Sequence, residues 1–180
     1  MKKNIELSSQ IPTELDLINY FHSGSKSSED YKIGTENEKF LFHKESLCPL
    51  QYSDGPGIVD VFKILIDQFH WSPIFDGDNV IGLSDAQNDR KISLEPGGQI
   101  ELSGSKCSNL HQTNEEFKQY HSQIEYVCNE LNIGALGLGF SPKWGFKDMA
   151  KVPKTRYTIM REYMPKVGSH GLDTVSYTHL

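Results

Sequence analysis

The sequence predicts an α+β fold: a sheet with one apolar and one acidic face, packed with amphipathic helices. Three observations carry this expectation. In Ile92-Ser-Leu-Glu-Pro-Gly-Gly-Gln-Ile-Glu-Leu-Ser-Gly104, Ile92, Leu94, Ile100 and Leu102 fall on even numbers, while Glu95, Gln99 and Glu101 fall on odd ones. Side chains of an extended chain alternate between faces, so the two sets point to opposite sides. In residues 33–42, Glu36 and Glu38 are two apart and share a face that continues through Phe40 and Phe42. Across residues 57–70, Ile58, Val61, Phe62, Leu65, Ile66 and Phe69 recur at helical spacing, the mark of a helix with one buried side. Pro96-Gly97-Gly98 interrupts the first stretch, so its parity holds only if the loop returns the chain in phase.

The elements follow in chain order. Residues 12–22 read as a short helix, with Thr13 and Asp16 as a capping-box-like start and Leu17, Ile18 and Phe21 as its stripe. Residues 23–30 are polar and read as a loop. The glutamate strand comes next, then a turn-rich connection over 43–56 containing Pro49, Asp54, Gly55 and Pro56. After the 57–70 helix, residues 71–81 read as a short strand and a turn at Asp76-Gly77. Residues 91–103 form the central acidic strand pair. A loop over 104–109 leads into a longer helix reaching about Leu131, with Leu110, Phe117, Tyr120, Ile124, Val127 and Leu131 as its buried stripe. His111 and His121 lie ten residues apart on it, about 80° apart around the axis, and read as surface or packing histidines. Gly134 to Phe140 reads as a strand approached closely by another backbone; its glycine order matches neither the dinucleotide fingerprint nor a phosphate loop. Residues 151–168 turn helical after Pro153, with Arg156, Met160 and Tyr163 on one face and Tyr157, Arg161 and Met164 on another.

Composition narrows the function. The 180 residues suit one domain or part of a larger one, and a hydrophobic fraction of 37% supplies a core. The net charge of -6 argues against nucleic acid as a partner. The start carries no apolar run after its lysines and does not read as a signal peptide; no stretch approaches the roughly 20 apolar residues of a membrane span. Cys48, Cys107 and Cys128 are odd in number and widely spaced, so reduced thiols and a cytoplasmic protein are expected.

Two readings of the acidic face stand side by side. It is the solvated side of an ordinary sheet, or it is a wall of ligands for a hard cation such as Mg2+. Two strands that each bear a pair of glutamates could hold metal and nucleotide phosphates together. Without a cation, the clustered carboxylates would raise one another's pKa. An arginine near such a wall suits a substrate carboxylate, which it holds with two parallel hydrogen bonds; the plainer reading is a local ion pair with an acid such as Glu162.

Four stretches taken together resemble a known family: Gly34-Thr-Glu-Asn-Glu-Lys-Phe, Ser93-Leu-Glu-Pro-Gly-Gly-Gln-Ile-Glu-Leu-Ser-Gly, Gly139-Phe-Ser-Pro-Lys-Trp, and Pro153-Lys-Thr-Arg-Tyr-Thr-Ile-Met-Arg-Glu-Tyr-Met-Pro-Lys-Val-Gly. In order and spacing they resemble glutamate–cysteine ligase of the plant and proteobacterial type, from about Tyr31 to Asp173. The resemblance implies ATP-dependent joining of L-glutamate to L-cysteine through γ-glutamyl phosphate, the first step of glutathione biosynthesis. It implies a glutamine-synthetase-like carboxylate–amine ligase fold, a curved antiparallel sheet with flanking helices, incomplete in this chain. It implies Mg2+ on Glu36, Glu38, Glu95 and Glu101, with Gln99 hydrogen-bonded within the ATP and Mg2+ site, and Arg156 and then Arg161 on a substrate carboxylate or phosphate. Lys39 points to the other face by parity, and its role stays open. The helix cysteine of plant members falls at Asn114, so their thiol switch does not carry over.

The expected organisation is a helix and loop over residues 1–30, the N-terminal part of the catalytic domain over 31–173, and a non-native tail over 174–180. The tail expectation rests on Val175-Ser-Tyr-Thr-His-Leu180, which resembles translated sequencing adapter. The expected partners are the small-molecule substrates, with no nucleic acid and no membrane; the sequence leaves oligomeric state open. Two alternatives remain: a related glutamate–amine ligase of the same fold, and a truncated, inactive fragment that binds Mg2+ or nucleotide.

Overall fold

The computed structural model describes residues 12–171, so the expected tail over 174–180 lies outside the described residues. The chain divides into two compact units, Met1–Lys32 and Ile33–Leu180. In the first, α1 (Glu14–Ser23) starts on a full capping box: the Asp16 amide donates to Thr13 Oγ1 at 3.2 Å, and the Thr13 amide donates to Asp16 Oδ2 at 2.8 Å. Two otherwise orphaned donors are thereby satisfied. None of its residues is buried. The polar stretch after it, expected to be a loop, contains one 3-10 turn, Ser28–Asp30.

The second unit is α+β. Its strands are β1 (Glu36–His43), β2 (Ser72–Asp76), β3 (Asn79–Asp85), β4 (Arg90–Leu94), β5 (Ile100–Ser103) and β6 (Ile133–Leu136). They form one six-stranded antiparallel sheet in the order β2-β3-β4-β5-β1-β6. The sheet is open, with β2 and β6 at its edges. Helices α2 (Ile58–Phe69), α3 (Leu110–Glu130) and α4 (Thr155–Val167) complete the unit. None of the described helices is long and apolar enough to cross a membrane.

The core sits on the face that the even-numbered residues predict. Ile92, Leu94 and Ile100 are fully buried and Leu102 nearly so, against Ile58, Val61, Phe62 and Leu65 of α2 and Tyr120, Ile124 and Val127 of α3. Each such aliphatic side chain contributes about 1.5–3 kcal/mol by leaving water. The parity survives the break because Pro96–Gly98 forms a tight turn and β5 returns antiparallel with Leu94 opposite Ile100 and Ile92 opposite Leu102. Gly97 and Gly98 hold φ of 74° and 84° there, a region open to glycine at little cost.

Three expectations need correction. The first strand begins at Glu36, and Ile33 makes only an isolated bridge to Cys107. Residues 71–81 are part of a longer hairpin, β2 and β3 joined through Gly77. The buried stripe of α3 is turned: Leu110 is 72% and Phe117 39% exposed, while Glu116 faces inward. The cause is local. Glu116 Oε1 accepts the Ser105 amide at 2.8 Å and also its hydroxyl, so a carboxylate caps the loop before the helix. Leu110 is the first residue of the helix.

Candidate active site

Antiparallel pairing sets opposite residues on the same face, and β1 faces β5 with Glu38 opposite Glu101 and Glu36 opposite Ser103. Gln99, one residue before Ile100, shares that face and donates from Nε2 to Glu38 Oε2 at 3.2 Å. Gln99 is fully buried and Glu101 is 8% exposed. Glu38, Gln99 and Glu101, three of the residues expected from sequence, are thus brought together. Glu36 lies beyond them at the exposed end of β1.

This crowding has an electrostatic consequence. Burial pushes the Glu101 carboxyl up to about 7; a hydrogen bond shared with Glu38 and the charges of Glu95 and Glu36 push the same way, against the Ser103 hydroxyl, which donates to it at 3.0 Å. Facing carboxylates settle such a conflict by holding a proton or a cation between them.

Glu95 belongs to a second cluster at the end of β4. Its Oε1 accepts the Ser93 hydroxyl at 2.9 Å, and its Oε2 accepts the Tyr157 hydroxyl at 3.2 Å. Lys154 Nζ is 3.7 Å and Arg156 3.9 Å from the carboxylate. Lys154 also donates to the Leu94 carbonyl. Burial lowers the lysine's pKa, with Glu95 acting in the opposite sense. The Tyr157 hydroxyl is pushed up to about 12, first by burial and then by the Glu95 charge. Arg156 stacks near the Tyr157 ring, yet its side chain is 66% exposed and keeps donors for a ligand. Arg161, five residues further along α4, is half-buried, and its side chain makes no hydrogen bond or ion pair among the described residues.

Mg2+ was the expected occupant of this face, and the fit can be tested on the donors. Carboxylate oxygens are the ligands of a hard cation. The raised carboxyl of Glu101 and the buried Oε1 of Gln99, which has no hydrogen-bond partner, both suit one. Glu38 and Glu101 therefore fit as ligands in kind. Among the described residues, however, no three His, Cys, Asp or Glu side chains converge closely enough to hold a metal ion. Glu95, already neighboured by a lysine and an arginine, is the least suited of the four glutamates.

Sequence reasoning passed over Lys154, Tyr157, Ser93 and Ser103. One signal for Lys154 was present: it is the N-cap residue of α4, where the helix dipole disfavours a cation. A lysine placed there needs an acid elsewhere, and Glu95 is that acid. The glycine-rich stretch, read as a strand without a ligand role, ends β6 and continues as Gly137-Leu138-Gly139. That segment lines a cleft of about 280 Å³ with Glu36, Asn37 and Glu38.

A family model described as glutamate-cysteine ligase family 2 matches residues 32–179. The chain is 48% identical over 166 residues to a protein of Nicotiana tabacum named glutamate–cysteine ligase, chloroplastic. It is 48% identical to glutamate–cysteine ligase A, chloroplastic, of Oryza sativa subsp. japonica, and 46% identical to glutamate–cysteine ligase, chloroplastic, of Arabidopsis thaliana. Each match covers 92% of this chain but only 31%, 33% and 31% of the respective relative. The chain thus spans about a third of the length of these relatives. Their names overturn the expectation of a cytoplasmic protein. Free thiols report the redox state of a compartment and carry no address.

Proposed function

The chain belongs to glutamate–cysteine ligase family 2, and from that membership we propose that it builds one wall of an active site that joins L-glutamate to L-cysteine with ATP. The family match over residues 32–179 carries this reading, and the facing Glu38 and Glu101 on one sheet support it. The reaction conserves its atoms simply. The glutamate γ-carboxylate attacks the terminal phosphorus of ATP, giving γ-glutamyl phosphate and ADP. The cysteine amine then attacks the acyl carbon and phosphate leaves. The peptide-like product is γ-glutamylcysteine, the precursor of glutathione. A plastid setting is part of this reading, because the relatives are named chloroplastic.

The residues divide the work. Glu38 and Glu101, with Glu36 and Glu95 more distant, would hold Mg2+, which offsets the nucleotide's negative charge near another carboxylate. Gln99 fixes the Glu38 carboxylate in place. Arg156, exposed beside Glu95, would bind the carboxylate of glutamate, and Lys154 and Tyr157 hold Glu95 so that the arginine is presented. Arg161, further along α4, would contact a substrate carboxylate or phosphate oxygens. The open sheet with helices is consistent with a glutamine-synthetase-like carboxylate–amine ligase.

The test is ADP release by the complete protein. L-glutamate with L-cysteine is expected to support release, and other amines in place of cysteine much less. Equal release with another amine would make it a related glutamate–amine ligase. Arg156→Ala is expected to raise KM for glutamate about tenfold or more with a smaller change in kcat; an unchanged KM would remove Arg156 from the site. A second reading applies to the 180 residues alone, which span about a third of the length of their relatives. On that reading the chain binds Mg2+ or nucleotide in calorimetry and releases no ADP.

A further inference from the structure

On the side of the sheet away from the glutamates, Lys39 of β1 is enclosed beneath α3. It is 9% exposed. Its Nζ lies 5.8 Å from the Phe117 ring centroid and 5.7 Å from that of Tyr120. No acceptor among the described residues takes a hydrogen bond from it. Ring faces attract a cation but give its three N–H groups no lone pair, and an ammonium taken out of water without a partner is costly. Lys39 also borders a cavity of about 250 Å³, whose lining includes the exposed Lys44 and His121, Asn129 and the buried Cys128. Glu125 is the one carboxylate among its lining residues.

We propose that this cavity is a binding site for a small tetrahedral oxyanion of the phosphate type, with Lys39 as its buried contact and Lys44 as its exposed one. The anion supplies the acceptors that Lys39 lacks, and the basic side chains outnumber the single acid. The site lies on the opposite face from the glutamate cluster and does not rest on the ligase reading. In a chain of net charge -6, anions are repelled at long range, so binding depends on these local contacts and weakens as salt screens them.

Cys128 provides the readout and Cys48 the reference, since Cys128 lines the cavity while Cys48 is exposed at a different place. The complete protein is alkylated with iodoacetamide in sodium chloride, sodium phosphate or sodium sulfate at matched ionic strength, and labelling of each cysteine is followed by peptide mass spectrometry. Phosphate or sulfate is expected to slow Cys128 saturably and leave Cys48 unchanged. Glycerol phosphate in a further arm separates a free anion from a phosphoryl group on a larger molecule; protection by either supports the site. Lys39→Met is expected to weaken protection about tenfold. Lys44→Gln, at an exposed position that does not threaten folding, is expected to weaken it severalfold. Equal labelling in all three salts would overturn the proposal. So would protection that never saturates and survives in Lys44→Gln, because excluded salts slow opening of any folded protein without a site.

Discussion

At the scale of single residues, Glu101 is the group most at odds with its surroundings. Its carboxyl is raised from 4.5 to about 7 by burial and by its acidic neighbours. The folded chain therefore holds this proton to higher pH than the unfolded chain does. Between those values the native state binds more protons, so stability falls as pH rises. The contribution is fully present below pH 4.5 and lost as pH passes about 7. At Asp85 burial raises the carboxyl, but its hydrogen bonds to Arg90 and Asn88 and the arginine's charge outweigh it and lower it overall, so Asp85 acts only at more acid pH. The unfolding free energy read from urea titrations is expected to fall between pH 5 and 8 by roughly 1–2 kcal/mol, allowing for partial solvent screening. Glu101→Gln cannot ionise and is expected to flatten that profile; an unchanged slope would mean that Glu101 is not held protonated by its buried, acidic surroundings. On the other face, Leu102→Ala is expected to cost about 2–5 kcal/mol, since it empties a packed core position, as urea denaturation would read.

At the scale of elements, the loop over residues 95–99 ties the core to the site. Gly98 holds a φ of 84°, and a Cβ there would stand 2.7 Å from the Ala150 Cβ and 3.2 Å from Ile58 Cδ1. Gly98→Ala is expected to destabilise by roughly 2–4 kcal/mol through both strain and overpacking. It would also displace Gln99 from Glu38. Gly34→Ala, where no atom lies within 4 Å of the added Cβ, is expected to stay within about 0.5 kcal/mol. Comparable losses in the two variants would contradict this picture of the loop. The same elements mark what was legible in the sequence. Strand parity placed Ile92, Leu94, Ile100 and Leu102 inside and Gln99 and Glu101 together, because a period of two leaves no choice of face once one side is apolar. The stripe of α2 was equally plain. The phase of α3 was not: Leu110 and Phe117 read as part of its buried stripe, and the helix instead turns Glu116 inward, where Ser105, eleven residues away, bonds its carboxylate. Likewise nothing local joins Lys154 and Tyr157 to Glu95, which lies about sixty residues earlier and meets them only through the fold.

At the scale of the whole molecule, the sheet of the described residues ends in two open edges, the outer sides of β2 and β6. Beside β6 the apolar side chains Leu136, Leu138, Phe140 and Phe146 are 46%, 39%, 65% and 43% exposed. Open edges with adjoining apolar surface recruit other chains. The 180 residues alone are expected to aggregate at micromolar concentration, as light scattering during dilution would register; a stable, soluble monomer would contradict that. The acidic face belongs to the same larger frame, because its carboxylates share one wall and do not by themselves enclose an ion. The most direct measurement is therefore the Mg2+ dependence of ADP release in the complete protein, compared with Glu38→Gln and Glu101→Gln. The Mg2+ concentration for half-maximal release is expected to rise at least about tenfold in each variant. Release that keeps the parent Mg2+ dependence in both variants would mean that this face does not hold the metal.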